Sequence, residues 1–161
     1  MAWFGRKAKL VNNSLTLTGQ PDRTTDRTRK SIELAVLAAC EFASPVVDSR
    51  HLLCGLMREG NGVAFHILDQ FGLKRDKLEQ MVAVAIHTRD ASLPRLDDDL
   101  TAALHGSWNL ATSLHHNYIG TEHLLLRIVG APTRALELLR RLGVEGIAVD
   151  SKIRQLLGAP T

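Results

Sequence analysis

The chain has 161 residues, enough for one compact domain or two small fused halves. Hydrophobic residues make up 45% of it and aromatic ones only 4%, so Leu, Ala, Val and Ile must fill the core, which suits packed helices rather than a sandwich of sheets. The formal charge of +3 is uneven: residues 1–30 hold seven cations (Arg6, Lys7, Lys9, Arg23, Arg27, Arg29, Lys30) against Asp22 and Asp26, which excludes a basic face spread over the whole fold. No apolar run approaches the ~18–20 residues that span a bilayer, and Met1 to Lys7 lacks an apolar signal core, which predicts a soluble, cytoplasmic protein. The two cysteines, Cys40 and Cys54, fall on apolar helical positions and are expected as buried free thiols.

Residues 1–23 read as a basic arm without firm structure. Asn12-Asn13-Ser14 and Gly19-Gln20-Pro21 are breakers, and Leu15-Thr16-Leu17-Thr18 alternates like a short strand. Trp3 and Phe4 are apolar residues near a terminus, and with Arg6, Lys7 and Lys9 they form a candidate partner-binding arm. The first helix is expected to start near Thr25, capped by Thr24 or Thr25, with Ile32, Ala35, Val36, Ala39 and Ala43 as its apolar stripe and Pro45 ending it. A second helix runs from Ser49 to about Glu59, a third from Val63 to Phe71 with Gly72 as its cap, and a fourth from Lys74 or Arg75 to about His87. A polar linker containing Pro94 follows. Asp97-Asp98-Asp99 then opens a helix carrying Leu100, Leu104, Trp108 and Ala111, with Gly106 in its middle. Thr121 is the expected N-cap of the next helix, which ends at Val129. Pro132 suits the first position of a seventh helix, and an eighth holds Ile153, Leu156 and Leu157.

The second half repeats the first. Ser49-Arg50-His51-Leu52-Leu53 aligns with Thr121-Glu122-His123-Leu124-Leu125 at an offset of 72 residues. At that offset Thr25-Asp26 falls on Asp97-Asp98, Ile32 on Leu104 and Ala39 on Ala111; after a one-residue gap Ala64-Phe65 falls on Ala135-Leu136 and Gly72-Leu73 on Gly143-Val144. The expected architecture is all-α, about eight helices in two pseudosymmetric four-helix repeats. The boundaries are an arm over 1–23, repeat one over 24–88, a linker over 89–96 and repeat two over 97–158.

Two stretches carry a family resemblance: His-Asn-Tyr-Ile-Gly-Thr-Glu-His-Leu-Leu-Leu (116–126) and Gly-Leu-Met-Arg-Glu-Gly-Asn-Gly-Val-Ala (55–64), with Phe4-Gly5-Arg6 near the start. The chain resembles the Clp N-terminal (Clp repeat) domain at the front of Clp-type AAA+ unfoldases, most of all the ClpC type. The resemblance implies the repeat topology and a non-catalytic role in binding substrates or adaptors of a Clp protease system. It also implies a site for phosphorylated arginine in which the Glu of Gly-Thr-Glu-His holds the guanidinium. The phosphate loop of the ATPase modules, Gly-x-x-x-x-Gly-Lys-[Ser/Thr], is not among these residues.

The residues themselves agree in form. A helix N-terminus offers free amides to a phosphate, and an adjacent carboxylate can pair with a guanidinium. The candidate ligand-binding residues are Thr121, Glu122 and His123 in repeat two and Ser49 and Arg50 in repeat one. Arg50 reverses the charge of Glu122 and would repel a guanidinium, so repeat two alone matches. Glu122 has a plainer reading as a carboxylate stabilising its own helix. His51 and His123 recur at equivalent places, which suggests packing or hydrogen bonding. No cofactor, metal site or catalytic group is expected: there is no His-Glu-x-x-His and no Gly-x-Ser-x-Gly. The alternatives are a stand-alone interaction domain with unrelated partners, or nucleic-acid binding through the basic arm.

Overall fold

The computed structural model describes residues 2–86, 89 and 92–160. The expected all-α architecture holds. The helices are α1 (Ala2–Leu17), α2 (Asp26–Glu41), α3 (Ser49–Glu59), α4 (Val63–Gln70), α5 (Arg75–Val84), α6 (Asp98–Leu104), α7 (Ser107–Ser113), α8 (Thr121–Val129), α9 (Arg134–Arg141) and α10 (Gly146–Leu156), with a 3-10 turn at Pro21–Arg23. Two-residue strands β1 (Val46–Val47) and β2 (Arg95–Leu96) pair in parallel.

Several boundaries differ from the sequence reading, each for a local reason. The arm is helical. Val11, Ser14, Leu15 and Thr18 follow helical spacing and are buried, so tertiary contact overrides both the strand-like alternation and the exposed Asn12 and Asn13. Gly106 does not sit within a helix: its φ of +78° separates α6 from α7, a conformation that costs glycine nothing. Ala43 leaves the stripe of α2 and turns at φ +51°, and His115, 72 residues later, does the same at φ +61°. Helix α9 starts at Arg134 rather than at Pro132, with Thr133 as its cap, the hydroxyl accepting from Leu136 N at 3.1 Å. The fourth helix of repeat one ends at Val84, and His87, its expected last residue, lies outside the described residues.

One apolar core runs through both repeats. The two Leu pairs, Leu52-Leu53 on α3 and Leu124-Leu125 on α8, are fully buried, each side chain contributing about 1.5–3 kcal/mol. Cys54 is buried, which pushes its thiol up to about 12, and Cys40 is half-buried with its thiol also raised by burial. Both are free thiols, as expected.

The repeats interlock reciprocally, in a way the spacing alone did not reveal. Thr25 N donates to Ile119 O at 3.0 Å, and Asp97 N donates to Val47 O at 3.1 Å, the same bond moved by 72 residues. Ala64 N, in the first turn of α4, donates to Thr121 Oγ1 at 3.2 Å; Ala135 N, in the first turn of α9, donates to Ser49 Oγ at 2.9 Å. Each repeat therefore supplies the hydroxyl that satisfies a first-turn amide of the other.

Candidate functional site

The reciprocal caps place two pockets at the junctions between repeats. Where α8 begins, beside the starts of α2 and α4, a pocket of about 390 Å³ is lined by Thr25, Asp26, Arg27, Val63, Tyr118, Gly120, Thr121 and Glu122. Its counterpart, where α3 begins beside α9, measures about 480 Å³ and includes Arg50, Arg134 and Arg141 in its wall.

In the first pocket the N-cap is Gly120, not Thr121. Thr121 is the first helical residue, and its hydroxyl is committed to α4, so its part in the site is to hold the two helix starts together. Glu122 folds back over Gly120: a Cβ on that glycine would lie 2.3 Å from the carboxylate, so any other residue there would push the carboxylate aside. Glu122 is only 4% exposed. Burial raises its pKa, against the opposing effects of its own backbone amide and of His116. No arginine or lysine pairs with it among the described residues. The site thus presents a nearly buried carboxylate without an arginine or lysine partner among the described residues, on the wall of an open pocket.

His123 stands behind this wall, fully buried. Its Nδ1 accepts from Gly120 N at 2.8 Å, which places the proton on Nε2, and Nε2 donates to His116 Nδ1 at 2.8 Å. Burial, and secondly the charge of His116, lower its pKa to about 4, so the ring is neutral near pH 7. The ligand atoms of His116, Glu122 and His123 lie within 4.8 Å of one another. This hydrogen-bond pattern nevertheless uses both nitrogens of His123 and leaves it no free lone pair for a metal. Tyr118 stacks on His116, ring centroids 5.0 Å apart, and completes the wall.

In repeat one the charges change places. Asp48 stands where repeat two has Gly120, and it is the N-cap of α3, accepting from Arg50 N at 2.9 Å. Ser49 is therefore not the cap of α3; it donates to Asp99 and accepts from Ala135 N. Asp48 is fully buried. Burial alone would raise its pKa, but the hydrogen bonds from His51 and Arg50 outweigh it and hold the carboxyl well below the usual range. Arg50 gives Nε and Nη2 to Asp48, at 3.0 and 2.6 Å to Oδ2. A guanidinium of the chain itself thus occupies the ground beside this helix start. His51 Nδ1 accepts from Asp48 N at 3.1 Å, the counterpart of the bond from Gly120 N to His123, and lies 3.0 Å from Asp48 Oδ1, while Nε2 is buried without a partner among the described residues.

The arm residues lie apart from both pockets. Trp3 and Phe4 are 43% and 70% exposed on the first turn of α1, with ring centroids 5.3 Å apart, and Lys7 Nζ lies 5.4 Å from the Trp3 ring. Arg6 and Lys9 are exposed beside them. Among residues that sequence reasoning passed over, Asp48 was visible as the position 72 residues before Gly120. Thr25, Arg27 and Val63 carried no signal, because only the folded junction brings them to the start of α8.

A helical repeat pair joined by exchanged caps, with one pocket per junction, defines the class: an all-α tandem-repeat domain. The chain belongs to the Clp repeat N-terminal domain family, which matches residues 23–94 and 95–160. It is 31% identical over 140 residues to the negative regulator of genetic competence ClpC/MecB of Bacillus subtilis, covering 85% of this chain and 17% of that protein. The ATP-dependent Clp protease ATP-binding subunit ClpC of Staphylococcus aureus is 30% identical over 109 residues, 66% of this chain and 13% of that protein. The chain thus spans a small fraction of these relatives' length. Among solved structures, the N-terminal domain of ClpD from Arabidopsis thaliana superposes with a TM-score of 0.71 at 18% identity, over 84% of this chain and 98% of that one. A ClpV N-domain in complex with a VipB peptide superposes at 0.66 and 18% identity, over 89% and 90%. Helix α1 lies wholly before the matched repeats. No helix among the described residues is long and apolar enough to cross a membrane.

Proposed function

We propose that this chain is a non-catalytic protein-binding module that receives substrates or adaptors of a Clp protease or unfoldase system in the cytoplasm. In this reading the pocket of repeat two holds the side chain of a phosphorylated arginine. One observation carries it: Glu122 is a nearly buried carboxylate, without a lysine or arginine partner among the described residues, on the wall of an open pocket. A buried charge is costly unless paired, and a ligand guanidinium supplies the pair in bidentate form. The starts of α4 and α8 both line the pocket, through Val63, Gly120 and Thr121, so the positive ends of two helix dipoles are available to a phosphate. Membership in a family whose relatives include ClpC subunits of Clp proteases supports the system. The peptide complex of a ClpV N-domain supports peptide segments as the ligand type. The exposed start of α1, with Trp3, Phe4, Arg6, Lys7 and Lys9, is read as a second, separate partner contact.

Calorimetric titration with free phosphoarginine tests the reading. Saturable binding is expected, with arginine and phosphoserine each at least about tenfold weaker, since each lacks one of the two charges. Glu122→Gln, which keeps the shape and removes the charge, is expected to abolish binding while the circular dichroism spectrum stays unchanged. Equal binding by Glu122→Gln refutes the assignment.

A further inference from the structure

The two junction pockets stand on the same reciprocal scaffold and yet have opposite charge. In repeat two the charged lining is Asp26, Arg27 and Glu122, two carboxylates against one guanidinium. In repeat one it is Arg50, Arg134, Arg141 and Glu137, three guanidinium groups against one carboxylate. The swap follows the repeat: Arg50 replaces Glu122, and Arg134 replaces Val63. The rest of the wall is largely apolar, with Val46, Ile86 and Leu138.

Arg50 and Arg134 are held from behind the wall. Asp48 and Asp97, which orient them, do not line the pocket; Asp48 is fully buried and Asp97 has a side chain only 18% exposed. Arg50 and Arg134 both reach the single carboxylate of Asp48, at 2.6 and 3.5 Å. Nη1 of Arg50 and Nη2 of Arg134 have no hydrogen-bond partner among the described residues. Arg134 is half exposed, and Arg141, paired with Glu137 of the pocket wall at 2.6 Å, is two-thirds exposed in a solvent-screened pair, so both keep edges open to a ligand. Arginines fixed by buried carboxylates lose less side-chain freedom when they take an anion, which favours binding.

We propose that this pocket binds the carboxylate of an acidic residue flanked by apolar side chains in a peptide segment of a partner protein. The carboxylate meets the forks of Arg50 and Arg134, and the apolar neighbours cover Val46, Ile86 and Leu138. The domain then offers two recognition points of opposite charge preference. The proposal does not depend on the Glu122 assignment, since it uses a different pocket and a different ligand charge.

The test is fluorescence anisotropy with a fluorescein-labelled decapeptide carrying Leu-Glu-Leu at its centre in an otherwise Gly/Ser sequence, compared with its Leu-Gln-Leu twin at fixed salt. The Glu peptide is expected to bind at least about tenfold more tightly. That ratio should fall to near unity in Arg134→Gln and shrink in Arg141→Gln, two exposed positions; Arg134→Gln gives up its contacts with Asp48 and Asp97, so an unchanged circular dichroism spectrum accompanies its reading, and Arg141→Gln leaves both carboxylates paired. Arg50→Gln is less informative alone, because it also unpairs Asp48. Equal affinity for the two peptides overturns the proposal, as does a ratio that both Arg134→Gln and Arg141→Gln leave intact. A ratio that collapses in Glu122→Gln or in Lys7→Gln instead assigns the peptide to the other pocket or to α1, and equally overturns it.

Discussion

Thr121→Val separates two accounts of one hydroxyl. By local rules Thr121 caps its own helix, α8; in the structure it caps α4 of the other repeat, through Ala64 N at 3.2 Å. Valine keeps the shape and removes the acceptor, leaving a first-turn amide of α4 unpaired in a place only 2% exposed at Thr121 and closed at Ala64. Loss of a cap costs roughly 0.5–2 kcal/mol, and stranding a buried donor roughly 1–3 kcal/mol. The bond is long, so a cost of about 1–2 kcal/mol is expected, or a fall in Tm of roughly 2–8 °C for a chain of this size. Native-state hydrogen exchange locates the damage. The Ala64 amide should exchange faster in Thr121→Val, and the Ala135 amide should do so in the mirror variant, Ser49→Ala. If Thr121→Val speeds exchange only at the first-turn amides of α8 and leaves Ala64 protected, the reciprocal junction is wrong.

Three further outcomes are expected. Gly120→Ala should displace the Glu122 carboxylate, since the new Cβ lies 2.3 Å from it, and should cost about 1–3 kcal/mol in a urea melt together with phosphoarginine binding. Gly55→Ala should cost at least as much without touching the pocket, because its Cβ would meet Ser31 O at 2.0 Å where α2 crosses α3; its effect is read from the same melt. Stability should fall on acidification. His123 has a folded-state pKa of about 4, below the unfolded value near 6.5. The unfolded chain therefore binds more protons between these values. The contribution of His123, at most about 3 kcal/mol, is complete above pH ~6.5 and is lost as the pH falls toward 4. The raised pKa of Glu122 acts in the opposite direction and offsets part of it. Urea melts from pH 4 to 7.5 measure the slope, which His123→Gln should flatten.

The repeat was legible because 72-residue periodicity survives in small motifs such as His-Leu-Leu, and the core was legible because Leu and Ala recur at helical spacing. The pairing of Glu122 with Arg50 as opposites was legible for the same reason. What escaped was everything that depends on contact across the junction. A serine or threonine before an apolar run is the signature of an N-cap whichever helix its oxygen serves, so the sequence alone assigns Thr121 to its own helix. The helix of the arm is hidden in the sequence because Asn12 and Asn13 discourage a helix in isolation, while the burial of Val11 and Leu15 decides the matter in the fold. The break at Gly106 is hidden for another reason: spacing shows neither the sign of φ nor the interruption that follows from it.

The most direct test of the central claim is an ¹⁵N–¹H correlation spectrum of the protein titrated with phosphoarginine. The repeat-two site predicts saturable shifts confined to the amides of Thr25 to Arg27, Val63 and Ala64, and Gly120 to Glu122, all absent in Glu122→Gln. Shifts centred instead on Arg50 and Arg134, or a spectrum unchanged at millimolar ligand, would contradict it.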